Sequence, residues 1–158
     1  MNQLDSLYQE LILEHSKRPI GNETLEPAEG ALVFSHREYN PSCGDEIELT
    51  VGVDQTSHRL QQLAWQGQGC SISMASASML TQLVREEGWT AETAKARVAL
   101  FRELLRSRGA GAPGDEALGD AIAFQGVGKF VMRVKCAMLA WVALEANIAQ
   151  FESAETSP

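Results

Sequence analysis

The sequence predicts an α+β fold in which helices cover one face of a small antiparallel sheet. Three observations carry that expectation. Residues 45–53 alternate apolar and polar side chains with a period of two, as a half-buried strand does. Residues 71–84 and a later segment ending near Gln150 repeat their apolar residues at helical spacing. The strand-like segments are also grouped together, with one helix before them and several after, so a βαβ crossover pattern is absent from the reading.

Taken in order, Leu4, Leu7, Tyr8, Leu11 and Ile12 mark an amphipathic first helix that Pro19 and Gly21 terminate. A loop rich in Pro, Glu and Gly leads to Gly30. Residues 31–34 are then read as a short strand, because His36 to Tyr39 blurs any further alternation. In the next strand Ile47, Leu49, Val51 and Val53 share one face. Residues 54–58 form a turn, and residues 59–68 return with Leu63 and Trp65 inward. From Ser71 a helix carries Ile72, Ala75, Met79, Leu80, Leu83 and Val84 as one stripe. Thr90 is the expected N-cap of another, with Ala94, Val98, Phe101 and Leu105 on its buried face. Residues 109–114 break the chain, residues 115–123 suit a short helix, and the last helix starts between Lys129 and Arg133 and runs to Gln150. This gives one domain over residues 1–150 and a flexible tail over residues 151–158.

The charge balance narrows the function classes. With 21 acidic and 13 basic residues the net charge is −8, and the basic residues are scattered, which argues against nucleic acid as a partner. No run approaches the roughly 20 consecutive apolar residues of a membrane span. The first residues, Met1 to Asp5, are polar and acidic where a signal peptide is basic and then apolar, so the expected location is cytoplasmic.

Three cysteines cannot complete a disulfide framework, and in a cytoplasmic chain thiols serve metal binding or catalysis more readily. Cys43 precedes the alternating strand, Cys70 sits where a strand hands over to a helix, and Cys136 lies near the start of the last helix. The helix start favours a thiolate at Cys70, and Cys136 is expected to share that help. Gly44 permits a tight turn that aims Cys43 and Asp45 at one point. Three thiols and a carboxylate make four ligands, the number tetrahedral zinc takes. The spacing contains no C-x2-C pair, however, and leaves open both a shared metal site and three separately buried thiols.

The residues around each cysteine add a resemblance. Asn40-Pro41-Ser42-Cys43-Gly44-Asp45, Gly67-Gln68-Gly69-Cys70-Ser71-Ile72-Ser73 with Ala75 to Met79, and Lys135-Cys136-Ala137 with Leu139-Ala140-Trp141 resemble the three signature blocks of SufU-type members of the IscU/NifU N-terminal-like family. The resemblance runs in order from about Leu4 to Ile148 and implies an IscU/SufU-like fold. Lys135, where IscU-type scaffolds carry histidine, and the apparent insertion over residues 85–125 favour the SufU branch.

The resemblance implies that Cys43, Asp45, Cys70 and Cys136 ligate zinc and that Arg133 is a nearby functional residue. The implied function is a zinc-dependent sulfur acceptor that takes persulfide sulfur from a SufS-type, pyridoxal-phosphate cysteine desulfurase and serves downstream iron–sulfur assembly proteins. The alternative is a scaffold holding a [2Fe–2S] cluster on the same ligands. Among the thiols Cys43 is the expected sulfur acceptor, because its loop can swing without unpacking the core. His15, His36 and His58 read as surface histidines. Trp65, Trp89 and Trp141 read as core or domain-edge aromatics, and the serine series at positions 71, 73, 76 and 78 as close helix packing plus an N-cap.

Overall fold

Residues 3–156 are described by a computed structural model. Helix α1 (Gln3–Lys17) is followed by strands β1 (Leu32–Asn40), β2 (Asp45–Val53) and β3 (Leu60–Gln68), then by α2 (Ser71–Glu87), α3 (Ala91–Arg106), a 3-10 region (Asp115–Lys129) and α4 (Val131–Thr156). The strands form one antiparallel sheet in the order β1-β2-β3, with Asn40 opposite Asp45 and Leu49 opposite Trp65. The fold is α+β, with the helices on one face of the sheet.

The period-two pattern of β2 places Ile47, Leu49, Val51 and Val53 under the helices, all of them buried. Leu63 and Trp65 of β3 join them as expected. Above this floor lie Met79, Leu80 and Leu83 of α2 and Trp141, Leu144 and Ile148 of α4. Phe101 of α3 stacks on Trp141 with ring centroids 4.1 Å apart, and Trp89 is also buried, so all three tryptophans are core residues. Thr90 caps α3 as predicted, its hydroxyl accepting from the Thr93 N–H at 3.2 Å. Gly88, in the left-handed region at φ 66°, closes α2. No helix of the described residues is long and apolar enough to cross a membrane.

Four expectations are corrected. Strand β1 does not stop at Phe34 but continues to Asn40 and makes a hairpin with β2. His36 and Glu38 occupy its half-buried, helix-facing positions and hydrogen-bond each other at 2.8 Å, so polar residues stand where the alternation would be apolar. The expected short helix of residues 115–123 is a 3-10 region that reaches Lys129, interrupted at Gly119. On α1 the inward face holds Tyr8, Leu11 and Ile12 as expected, but Leu4 and Leu7 are exposed and His15 is buried beside Ile12. His15 is therefore no surface residue, and its Nδ1 lies 2.7 Å from the Ser78 hydroxyl.

The tail also differs from expectation. Helix α4 extends through Thr156 rather than fraying after Gln150. Phe151 is 2% exposed and packs edge-on against the rings of Phe34 and His58. A Lys95–Glu152 ion pair at 3.0 Å and a His58–Glu155 contact at 2.8 Å flank it. An aromatic anchor one turn beyond Ile148 is enough to continue the helix. Residues 157 and 158 lie outside the described residues.

Candidate metal centre

One end of the sheet collects the three cysteines. The β1–β2 hairpin turns through residues 41–44, where Gly44 adopts φ +77° and its N–H donates to the Asn40 carbonyl at 2.8 Å. The Ser42 N–H donates to Asn40 Oδ1 at 3.1 Å, so Asn40 braces the turn from both directions. Cys43 is exposed at its tip. Asp45 opens β2 on the helix-facing side and is 3% exposed. Cys70 is the N-cap of α2, a position the sequence reading gave to the serine series, and makes no side-chain cap bond. Cys136 projects from the second turn of α4 and is 1% exposed.

The sulfur and oxygen atoms converge. Cys43 Sγ lies 3.6 Å from Cys136 Sγ, and the donor atoms of Cys43, Asp45 and Cys136 all lie within 4.8 Å of one another. Cys70 stands outside that group of three but joins it through Asp45, its Sγ being 3.3 Å from Oδ2. The carboxylate is gripped by two further donors. The Cys70 N–H reaches Oδ1 at 3.1 Å, and the Ser73 hydroxyl makes a short bond to Oδ2. Close approach of the strand end requires Gly69, since a Cβ there would stand 2.6 Å from the Asp45 carboxyl carbon. Asn40 Nδ2 approaches Cys136 Sγ at 3.9 Å from the remaining side.

Burial works against the Asp45 charge, but hydrogen bonds from Ser73, Cys43 and Cys70 outweigh it and hold the carboxyl below its ordinary value. Cys136 behaves in the opposite way. Burial, reinforced by the neighbouring Cys43 and Cys70 thiols, pushes its pKa up to about 12. The expected help from a helix start does not reach Cys136, because it sits beyond the first turn, where the dipole has faded.

A tetrahedral zinc ion with Zn–S bonds of about 2.3 Å and a Zn–O bond of about 2.0 Å has S···S edges of about 3.8 Å and S···O edges of about 3.5 Å. The observed 3.6 Å between Cys43 and Cys136 and 3.3 Å between Cys70 and Asp45 match such edges closely. Cys43, Asp45 and Cys136 thus lie within reach of one metal ion, while Cys70 meets the cluster only through Asp45. A bound dication would favour the Cys136 thiolate, which burial otherwise disfavours.

Residues 7–137 match the family described as NifU-like N terminal domain. The chain belongs to this family. It is 40% identical over 151 residues to a protein of Bacillus subtilis named zinc-dependent sulfurtransferase SufU, covering 94% of each chain. It is 37% identical over 155 residues to a Streptococcus pyogenes protein named iron–sulfur cluster assembly scaffold protein IscU, covering 98% of this chain and 91% of that one. A crystal structure of a candidate SUF-system assembly scaffold from Fervidobacterium islandicum superposes with a TM-score of 0.76 at 27% identity, over 90% of this chain and 97% of that one. The resemblance carried by the three cysteine blocks is thus a family relationship, and the IscU/SufU-like fold accompanies it.

Two residues of this NifU-like site carry no local sequence signal. Ser73 belongs to a serine series that reads as helix packing, and Asn40 flanks the first cysteine block. Both act across the fold, Ser73 on a strand 28 residues earlier and Asn40 on a helix 96 residues later, so no local periodicity marks them. Arg133, expected near the site, is exposed on the first turn of α4, three residues before Cys136.

Proposed function

We propose that the protein is a zinc-dependent sulfur carrier: it accepts persulfide sulfur from a SufS-type, pyridoxal-phosphate cysteine desulfurase and passes it to iron–sulfur assembly proteins. The observation that carries this reading is the gathering of the Cys43, Asp45 and Cys136 donor atoms within 4.8 Å of one another, with Cys70 hydrogen-bonded to Asp45, in a chain 40% identical to a zinc-dependent sulfurtransferase. Cys43, Asp45, Cys70 and Cys136 are the ligand set. Bound zinc keeps the thiols in the thiolate form at neutral pH, which burial alone opposes at Cys136. Three unpaired thiols suit the reducing cytoplasm.

Cys43 is the sulfur acceptor. Its thiol is exposed, whereas Cys70 is partly covered and Cys136 is buried. It also sits on a hairpin turn whose movement unpacks no core residue. The Cys43 thiolate attacks the outer sulfur of the donor's persulfide. A sulfur–sulfur bond forms at Cys43, the donor's own sulfur–sulfur bond breaks, and the donor cysteine leaves as thiolate with the electron pair. Asp45, Cys70 and Cys136 keep the remaining polar cluster intact while the turn moves.

Mass spectrometry after brief reaction with a cognate desulfurase and cysteine should place the added sulfur on Cys43, with faster desulfurase turnover. Persulfide first on Cys70 or Cys136, undiminished transfer to Cys43→Ala, or a desulfurase left unstimulated would overturn this reading. A second reading, a scaffold for a [2Fe–2S] cluster, rests on the Streptococcus relative, whose name is that of a scaffold. Iron and sulfide in protein purified without air would favour it.

A further inference from the structure

We propose that Ser73 is a positioning residue that aims the Asp45 carboxylate at the thiols and thereby sets how firmly the site holds its metal. The inference deepens the proposed function and rests on its ligand set. Ser73 is the third residue of α2 and is 0% exposed, so its hydroxyl has no water to bond. A hydroxyl in that situation must find a protein partner, and this one donates to Asp45 Oδ2, the same oxygen that Cys70 Sγ approaches at 3.3 Å. Ser73 Oγ is itself only 3.7 Å from Cys70 Sγ.

The carboxylate is consequently clamped at both oxygens by the start of one helix. Oδ1 takes the Cys70 N–H and Oδ2 takes the Ser73 hydroxyl, while Gly69 leaves room for the carboxyl group to lie against the chain. Asp45 has rotamer freedom about two bonds, and two donors on different residues remove it. A ligand oriented in this way binds metal more tightly than a free one, and loss of such an outer partner typically costs about 10- to 100-fold in metal affinity. Ser73 contributes no ligand atom in this account. Its effect passes entirely through Asp45.

The test is a zinc-affinity cycle by chelator competition on wild type, Ser73→Ala, Asp45→Ala and the double variant, with circular dichroism confirming that each metal-free form is folded. Ser73→Ala should weaken zinc by about 10- to 100-fold. In the Asp45→Ala background the same change should have little further effect, since the two residues act as one unit. Cobalt loaded in place of zinc should show altered visible ligand-field bands in Ser73→Ala, and Ser73→Thr, which keeps the hydroxyl, should restore them at least in part. If Asp45→Ala binds zinc as tightly as wild type, the ligand set itself is wrong. If Asp45→Ala weakens zinc while Ser73→Ala does not, or if Ser73→Ala has its full effect without Asp45, the positioning role is wrong and the ligand set survives.

Discussion

Replacing Gly69 with alanine probes how tightly the site is built. The new Cβ would fall 2.6 Å from the Asp45 carboxyl carbon and 2.8 Å from Oδ1, so atoms must move by about an ångström to reach ordinary contact. Asp45 cannot simply swing aside, because Cys70 and Ser73 hold both its oxygens. Forcing a methyl group into a packed site costs about 1–3 kcal/mol. The gain from a less flexible unfolded chain offsets about 0.4–1 kcal/mol of that. The net loss is about 1–2 kcal/mol, which for a chain of this length lowers Tm by roughly 2–8 °C. Differential scanning calorimetry of the metal-free protein measures the shift, and chelator competition should show weaker zinc binding in the same variant. Gly126→Ala is the control, since nothing lies within 4 Å of a Cβ there. A Gly69→Ala protein with wild-type Tm and wild-type zinc affinity would refute the clamped-carboxylate geometry.

Three further outcomes follow from packing, titration and exposure. Phe151→Ala removes a buried aromatic anchor and should cost about 3–5 kcal/mol, with the loss of helicity confined to the end of α4; hydrogen exchange and calorimetry check it, and an unchanged Tm would mean that the helix end is not docked. In metal-free protein the Cys136 pKa is raised from 9.0 to about 12, so the unfolded chain ionises first. The stabilisation of the neutral thiol is complete below about pH 9 and is lost as pH rises towards 12, so chemical denaturation should show stability falling across that window. Alkylation at neutral pH should accordingly modify exposed Cys43 well before Cys136.

The sequence made the architecture legible wherever one face of an element is uniformly apolar. Strand β2 announces itself through Ile47, Leu49, Val51 and Val53, and α3 through Thr90 and the stripe from Ala94 to Leu105. Strand β1 was cut short because His36 and Glu38 satisfy each other on an edge that the helices only half cover, so burial there needs no apolar residue. Phe151 continues the spacing of Ile148 by three residues, but a single aromatic followed by Glu, Ser and Ala reads locally as a tail. At the site, the three cysteine blocks and Asp45 were visible as motifs. What the motifs could not convey is which thiol is buried and which exposed, since that depends on where α4 crosses the sheet end. Nor could they reveal the Ser73 clamp or the His15–Ser78 contact, each of which joins residues far apart in the chain.

Metal analysis of protein purified without air separates a zinc carrier from a cluster scaffold. One tightly held zinc per chain and a colourless protein are expected, with loss of that zinc and a lower Tm in both Cys70→Ala and Cys136→Ala. Full zinc occupancy in both variants would contradict the ligand set, and a brown protein carrying iron and sulfide in place of zinc would contradict the carrier reading itself.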